Sequence, residues 1–361
     1  MALPVEPPVL PMLSKRIAEL PEGEGWIFEP KWDGFRALVF RDGDDVTIQS
    51  RDEKSLNRYF PELVTALKAG LPERCVLDGE IVLVQGEALD FEMLQQRIHP
   101  AASRVKLLAE QSPVSMVFFD LLCDGDRDLR GAPFRERRAL LEARLAGARP
   151  PLHLTPATTL RATAADWFKR FEGAGLDGVM AKPGAGVYEP GKRVMFKVKH
   201  ERECDCVVAG FRWHARGEKT AVGSLLLGLY DEGGKLQHVG VAASFTAEKR
   251  LELAALLAPY REDALVDHPW REWAAAQELD AAGHRVPGVK SRWSQGKDLS
   301  WEPVRAELVA EVAYEHMQGS RFRHTAHFRR WRPDKRPGDC TYEQLEVVPP
   351  HELRAIFAAG R

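Results

Sequence analysis

No two cysteines of this chain stand in a C-x-x-C pair: the five, Cys75, Cys123, Cys204, Cys206 and Cys340, are scattered and odd in number. A disulfide framework and a thiolate zinc site are both argued against, and the thiols are expected to be reduced packing residues. Long apolar runs are also missing, as is a basic segment followed by an apolar block at the start, so a soluble cytoplasmic protein without membrane association is expected. Repeats and low-complexity tracts are absent. Nor is there an excess of one charge: 51 Lys and Arg face 53 Asp and Glu, for a net charge of −2. Any surface for a polyanion must then come from uneven distribution along the chain.

The length of 361 residues exceeds one ordinary core and predicts two domains. Cations do cluster: residues 192 to 202 carry +4, residues 285 to 297 (with Lys290 and Arg292) another +4, and residues 321 to 336 carry +6, interleaved with Phe322, Phe328 and Trp331. Taken alone, such runs are more often solvated faces than binding sites. Short apolar segments at 26–31, 36–40 and 46–49, separated by turn signals such as Asp42-Gly43, predict a strand meander. Further buried strands are predicted at 76–84 and 114–122, and helices at 61–69, 134–145 and 164–171. After Cys204 the strand pattern resumes at 207–211, 224–230, 236–241 and 308–314, with one strong helix at 247–257. Five or so strands with an inserted helix suit a small OB-type barrel, a nucleic-acid platform. His214, His238 and His268 show no ligand spacing and are expected to be surface or structural residues.

The most informative residues are Lys31-Trp32-Asp33-Gly34-Phe35-Arg36, a K-x-D-G-x-R pattern at the end of a predicted strand. Four fixed positions match by chance about once in ~10⁵ positions. A lysine attacks phosphorus only as the neutral amine, and an ordinary ammonium is almost fully protonated at neutral pH. Cationic neighbours, burial or a metal would help it lose its proton, and Arg36 with Lys197 and Lys199 could supply that positive field.

With these residues on the page, the chain resembles the covalent nucleotidyltransferases: DNA ligases, RNA ligases and capping enzymes. Lys31 to Arg36 is similar to the motif whose lysine becomes linked to AMP, and Ser50-Arg51 to the Ser-Arg pair that contacts nucleotide or nick. Asp78-Gly79-Glu80 resembles the motif whose glutamate binds ribose or helps hold metal, and Phe119 matches the ring that stacks on adenine. Asp177 to Lys182 resembles the next motif, with Asp177 where most members have Glu, a shorter arm of the same charge. Lys197-Val198-Lys199 matches the paired lysines on one face of a strand. Glu29 matches a position that in some relatives contacts the adenine amino group.

Arg332-Pro333-Asp334-Lys335 resembles the R-x-D-K segment that closes over ATP and orients pyrophosphate. Residues 301 to 335 look like the OB domains of small bacterial ATP-dependent DNA ligases, the LigC type and the ligase module of LigD. The resemblance implies an α+β, two-domain ligase core: an ATP-grasp-like nucleotidyltransferase (adenylation) domain over 1–201 and a C-terminal OB-fold β-barrel over 202–361. It implies three displacements: Lys31 takes AMP from ATP, AMP passes to the 5′-phosphate of a nick, and the 3′-hydroxyl expels it. Magnesium, with manganese as the alternative ion, would be held by Glu80 and Asp177. Nicked duplex DNA is the expected partner, bound by a monomer through phosphates, with DNA-repair proteins as further partners. An RNA ligase or capping enzyme shares most of these motifs, and an inactive nucleic-acid-binding scaffold shares the fold. Labelling with α-labelled ATP or GTP separates a capping enzyme, which GMP transfer would favour, from a DNA ligase.

Overall fold

The computed structural model describes residues 2–215, 219–275 and 300–345, together with Leu353 and Ile356. Two compact units result, one of residues up to Lys199 and one beginning at His200. Leu353 and Ile356, expected with the second domain, belong to the first. Three residues apart, they bury together in a core cluster with Trp167 and Phe171.

The first unit holds two main sheets. One has four strands in the order Leu13–Arg16, Arg193–Lys199, Gly178–Pro183, Trp26–Lys31. The other runs Leu152–Leu154, Ser115–Asp124, Arg74–Val82, Phe35–Asp42, Asp45–Ser50. The middle of Phe35–Asp42 is a continuous apolar run because both of its faces are covered: Ala37, Leu38, Val39 and Phe40 are all fully buried. Pro61–Gly70 packs beside this sheet, starting on a proline that needs no donor at that position and burying Leu63 and Leu67, one turn apart. The chain leaves the first sheet at Lys31 and enters the second at Phe35, so the K-x-D-G-x-R segment is the crossover between them. Gly34 sits at its tightest point, where an added Cβ would lie 2.0 Å from the Ile81 carbonyl oxygen. Trp32 anchors the crossover, its indole N–H donating to Thr155 Oγ1 at 2.8 Å.

The second unit is an antiparallel sheet in the order Leu236–Ala242, Val222–Tyr230, Arg202–Trp213, Glu302–Tyr314, His327–Trp331. Its two edges meet at a parallel bridge between Ala242 and Ala326, which closes the barrel. The helix Ala247–Leu257 begins at Thr246, whose hydroxyl accepts from the Lys249 amide, and buries Leu253 and Leu257. His268 is buried with Nε2 on the Ala209 and Val304 carbonyls, a structural role. The basic run at 285–297, including Lys290 and Arg292, lies outside the described residues.

Candidate active site

One cleft of the first unit gathers Glu29, Lys31, Arg36, Arg51, Glu80, Phe119 and Lys197, with Met180 and Lys182. Antiparallel pairing explains the convergence on the first sheet: Gly178 sits opposite Lys31, and Met180 opposite Glu29. Residues two apart on a strand share a face, which puts Glu29 and Lys31 on the same side. On the second sheet Arg36 pairs with Glu80.

Lys31 Nζ lies 2.5 Å from Asp177 Oδ2, and the Asp177 amide donates to the Lys31 carbonyl at 2.9 Å. The two residues are therefore fixed to each other through backbone and side chain at once. Lys199 Nζ is 3.3 Å from the same carboxylate oxygen. Burial works against the Lys31 ammonium, but Asp177, Glu80 and Asp33 outweigh it and hold the group above its ordinary value. The cationic neighbours expected around Lys31 are present only in part, since Lys199 shares the Asp177 carboxylate with it. The nearest charges on it are carboxylates, and Arg36 is engaged elsewhere.

Arg36 makes a two-pronged pair with the fully buried Asp78, at 2.6 Å for both contacts. Tyr188 donates its hydroxyl to Asp78 Oδ2 at 2.7 Å and so fixes that carboxylate from the other side. The Arg36 guanidinium is 4.5 Å from the centroid of the Phe119 ring, and Lys182 Nζ 4.6 Å from it. Glu80 accepts from the Gly34 amide at 3.2 Å. Burial, working against Lys31 and Arg36 and aided by Asp33 and Asp78, pushes its carboxyl up to about 7. Glu29 is paired with Lys182 at 2.6 Å and with Arg138 at 3.1 Å.

Arg332, Asp334 and Lys335 lie in the second unit and form a cluster of their own. Asp334 takes two contacts from Arg332, at 2.9 and 2.8 Å, and Arg332 Nη1 also reaches Asp205 at 3.0 Å and Glu311 at 3.1 Å. The Arg332 guanidinium holds the Asp334 carboxyl down to about 2. Lys335 Nζ is 3.7 Å from Asp205.

Sequence reasoning did not select Asp78, Arg138, Tyr188 or Asp205 as site residues. Asp78 was within reach, since it opens the Asp78-Gly79-Glu80 motif. Arg138 carried no such signal, because Arg-Glu-Arg-Arg on a predicted helix reads as a solvated face.

Residues 11–199 match the model of the ATP dependent DNA ligase domain, and residues 218–335 that of the ATP dependent DNA ligase C terminal region. The chain is 56% identical to DNA ligase C2 of Mycolicibacterium smegmatis over 97% of this chain and 98% of that protein. It is 54% identical to DNA ligase C of Mycobacterium tuberculosis over 96% of each. A solved structure of a Lig E DNA ligase, 16% identical, covers 90% of this chain and 100% of its own at a TM-score of 0.54, a likeness of fold alone. Both halves of the chain thus match one enzyme class along nearly their whole length, which favours neither a capping enzyme nor a bare scaffold, and the chain belongs to the ATP-dependent DNA ligases.

Proposed function

We propose that the cleft around Lys31 is where this ligase takes up AMP before passing it to the 5′-phosphate of a nicked duplex. The carrying observation is Lys31 Nζ standing in the cleft on Asp177, with Glu80 and Phe119 in the same walls. Lys31 is the nucleophile in this reading. Asp177 Oδ2 is the atom in place to receive the proton that Nζ loses as its bond to phosphorus forms. Phe119 and Met180 offer apolar surface for the base, and Arg51, Lys197 and Lys199 offer charge for the phosphates.

Glu80 and Asp177 fit magnesium by their chemistry. They are hard carboxylate oxygens, and Glu80, whose carboxyl is raised chiefly by burial, is a place where another cation would favour the charged form. Bound there, magnesium would neutralise charge on the phosphates. Arg332 and Lys335 act on pyrophosphate in the first step, exchanging contacts with Asp205 and Glu311 for phosphate oxygens. Working as a monomer in the cytoplasm, the enzyme seals nicks in DNA repair.

The test is uptake of label from ATP labelled at the α-phosphate. Lys31→Ala is expected to take up none and to seal no nicked duplex, while label at the wild-type level would overturn the assignment.

A further inference from the structure

Glu29 is held more firmly than packing requires. Its carboxylate is 2% exposed, with Lys182 Nζ 2.6 Å from one oxygen and Arg138 Nη1 3.1 Å from the other. Lys182 is part of the cleft wall. Arg138 reaches Glu29 from behind, out of the helix Phe134–Leu145. Its guanidinium is fixed on two further sides: Nη2 donates to the Thr155 carbonyl at 2.7 Å, and Nε to Glu142 at 2.6 Å. Thr155 is the same residue that anchors Trp32 beside Lys31. With its planar fork held at those points, Arg138 has one direction left in which to aim Nη1.

The chemistry of that arrangement bears on the nucleobase. A carboxylate is an acceptor only, with about four lone-pair sites. Two of them are occupied by the two cations, which leaves acceptor capacity for the cleft. The torsion at the end of a glutamate side chain is broad and roughly two-fold, so Lys182 alone would let the carboxylate turn. Arg138 as a second fixed donor stops that rotation. A purine carrying an amino group at position 6 offers a donor to such an acceptor, whereas a 6-oxo purine sets oxygen against oxygen. Sites that hydrogen-bond a substrate group reject analogues lacking it far more strongly than apolar pockets discriminate by size.

We propose that Arg138 is a positioning residue for base selection: it clamps Glu29 from outside the cleft so that the carboxylate favours 6-amino over 6-oxo purine nucleotides. This rests on the reading of the Lys31 cleft as the ATP site. The test measures kcat/KM for self-adenylation with ATP and for the matching reaction with ITP, in the wild type, Arg138→Met, Arg138→Lys and Glu29→Gln. In Arg138→Met the ATP-to-ITP ratio is expected to fall about tenfold or more, mainly through a higher KM for ATP. Arg138→Lys should be intermediate, since an ammonium keeps the charge but not the fork, and it carries the test if the Met variant does not fold. A structural role alone would slow both nucleotides equally and leave the ratio unchanged, which would overturn the proposal. If Glu29→Gln lowers the ratio and neither Arg138 variant does, the clamp alone is wrong. If Glu29→Gln also leaves it unchanged while Lys31→Ala abolishes labelling, base recognition by Glu29 fails and the nucleotide site stands.

Discussion

Breaking the buried pair between Arg137 and Asp120 offers the sharpest test of how this cleft is supported. Arg137 is 0% exposed and Asp120 2%, with contacts of 2.7 and 2.9 Å between the guanidinium and the two carboxylate oxygens. Asp120 follows Phe119 in the strand Ser115–Asp124, so the pair fixes the backbone that presents the ring. Arg137→Ala leaves the Asp120 charge buried without its partner, a change that costs about 3–5 kcal/mol. In a unit of this size each kcal/mol moves the midpoint by about 2–4 °C, so a drop of about 6–20 °C is expected. Replacing both partners, as Arg137→Met with Asp120→Leu, removes the stranded charge and should recover at least half of that loss. Thermal unfolding followed by circular dichroism reads both variants, and the KM for ATP reads the ring. A midpoint for Arg137→Ala within about 2 °C of wild type, or a double variant no better than the single one, would refute the reasoning.

Neutralising Arg332 or Lys335 should impair self-adenylation more than sealing of DNA that already carries a 5′-AMP; equal losses in the two assays would assign the cluster to DNA binding or folding. Gly34→Ala should lower labelling of Lys31 by at least about tenfold, because the new Cβ meets a backbone oxygen that cannot swing away; near-normal labelling would show that the crossover yields. Glu80 titrates near 7 in the fold, above its usual range, so its protonated form is the favoured one and its contribution is complete below about pH 4.5 and lost as pH rises through about 7. The ligand-free wild type should therefore lose stability relative to Glu80→Gln across that window, as thermal midpoints in a pH series would show, and parallel curves would contradict the raised value.

Much of the first unit was legible because its information is local. The strand over 26–31 was read at its observed bounds, and those over 36–40 and 46–49 within a residue or two of theirs. The fixed spacing within K-x-D-G-x-R carried Lys31 and Arg36 to one cleft. The strand Leu13–Arg16 was not legible, since Leu-Ser-Lys-Arg has no apolar alternation and exists as a strand by parallel pairing with Arg193–Lys199. The pairing of Arg138 with Glu29 spans 109 residues, and that of Tyr188 with Asp78 spans 110. No sequence window contains both partners. Charge counting along the chain misled for the same reason. The run at 321–336 carries +6, yet Arg329, Arg330 and Arg332 pair with Glu201, Glu311 and Asp205 from elsewhere in the chain. Acids distant in sequence thus offset much of the cation density that the run displays.

The pairing of Gly178–Pro183 with Trp26–Lys31 also sets how the gene for this enzyme can change length. Gly178 faces Lys31 and Met180 faces Glu29, so inserting or deleting one codon within residues 178 to 182 would turn the following side chains to the opposite side of the sheet. Lys182 would then leave Glu29. The connection between Pro183 and Arg193 is held to the same cleft, since Tyr188 within it donates to Asp78, the partner of Arg36, so a change of length there would also reach the site.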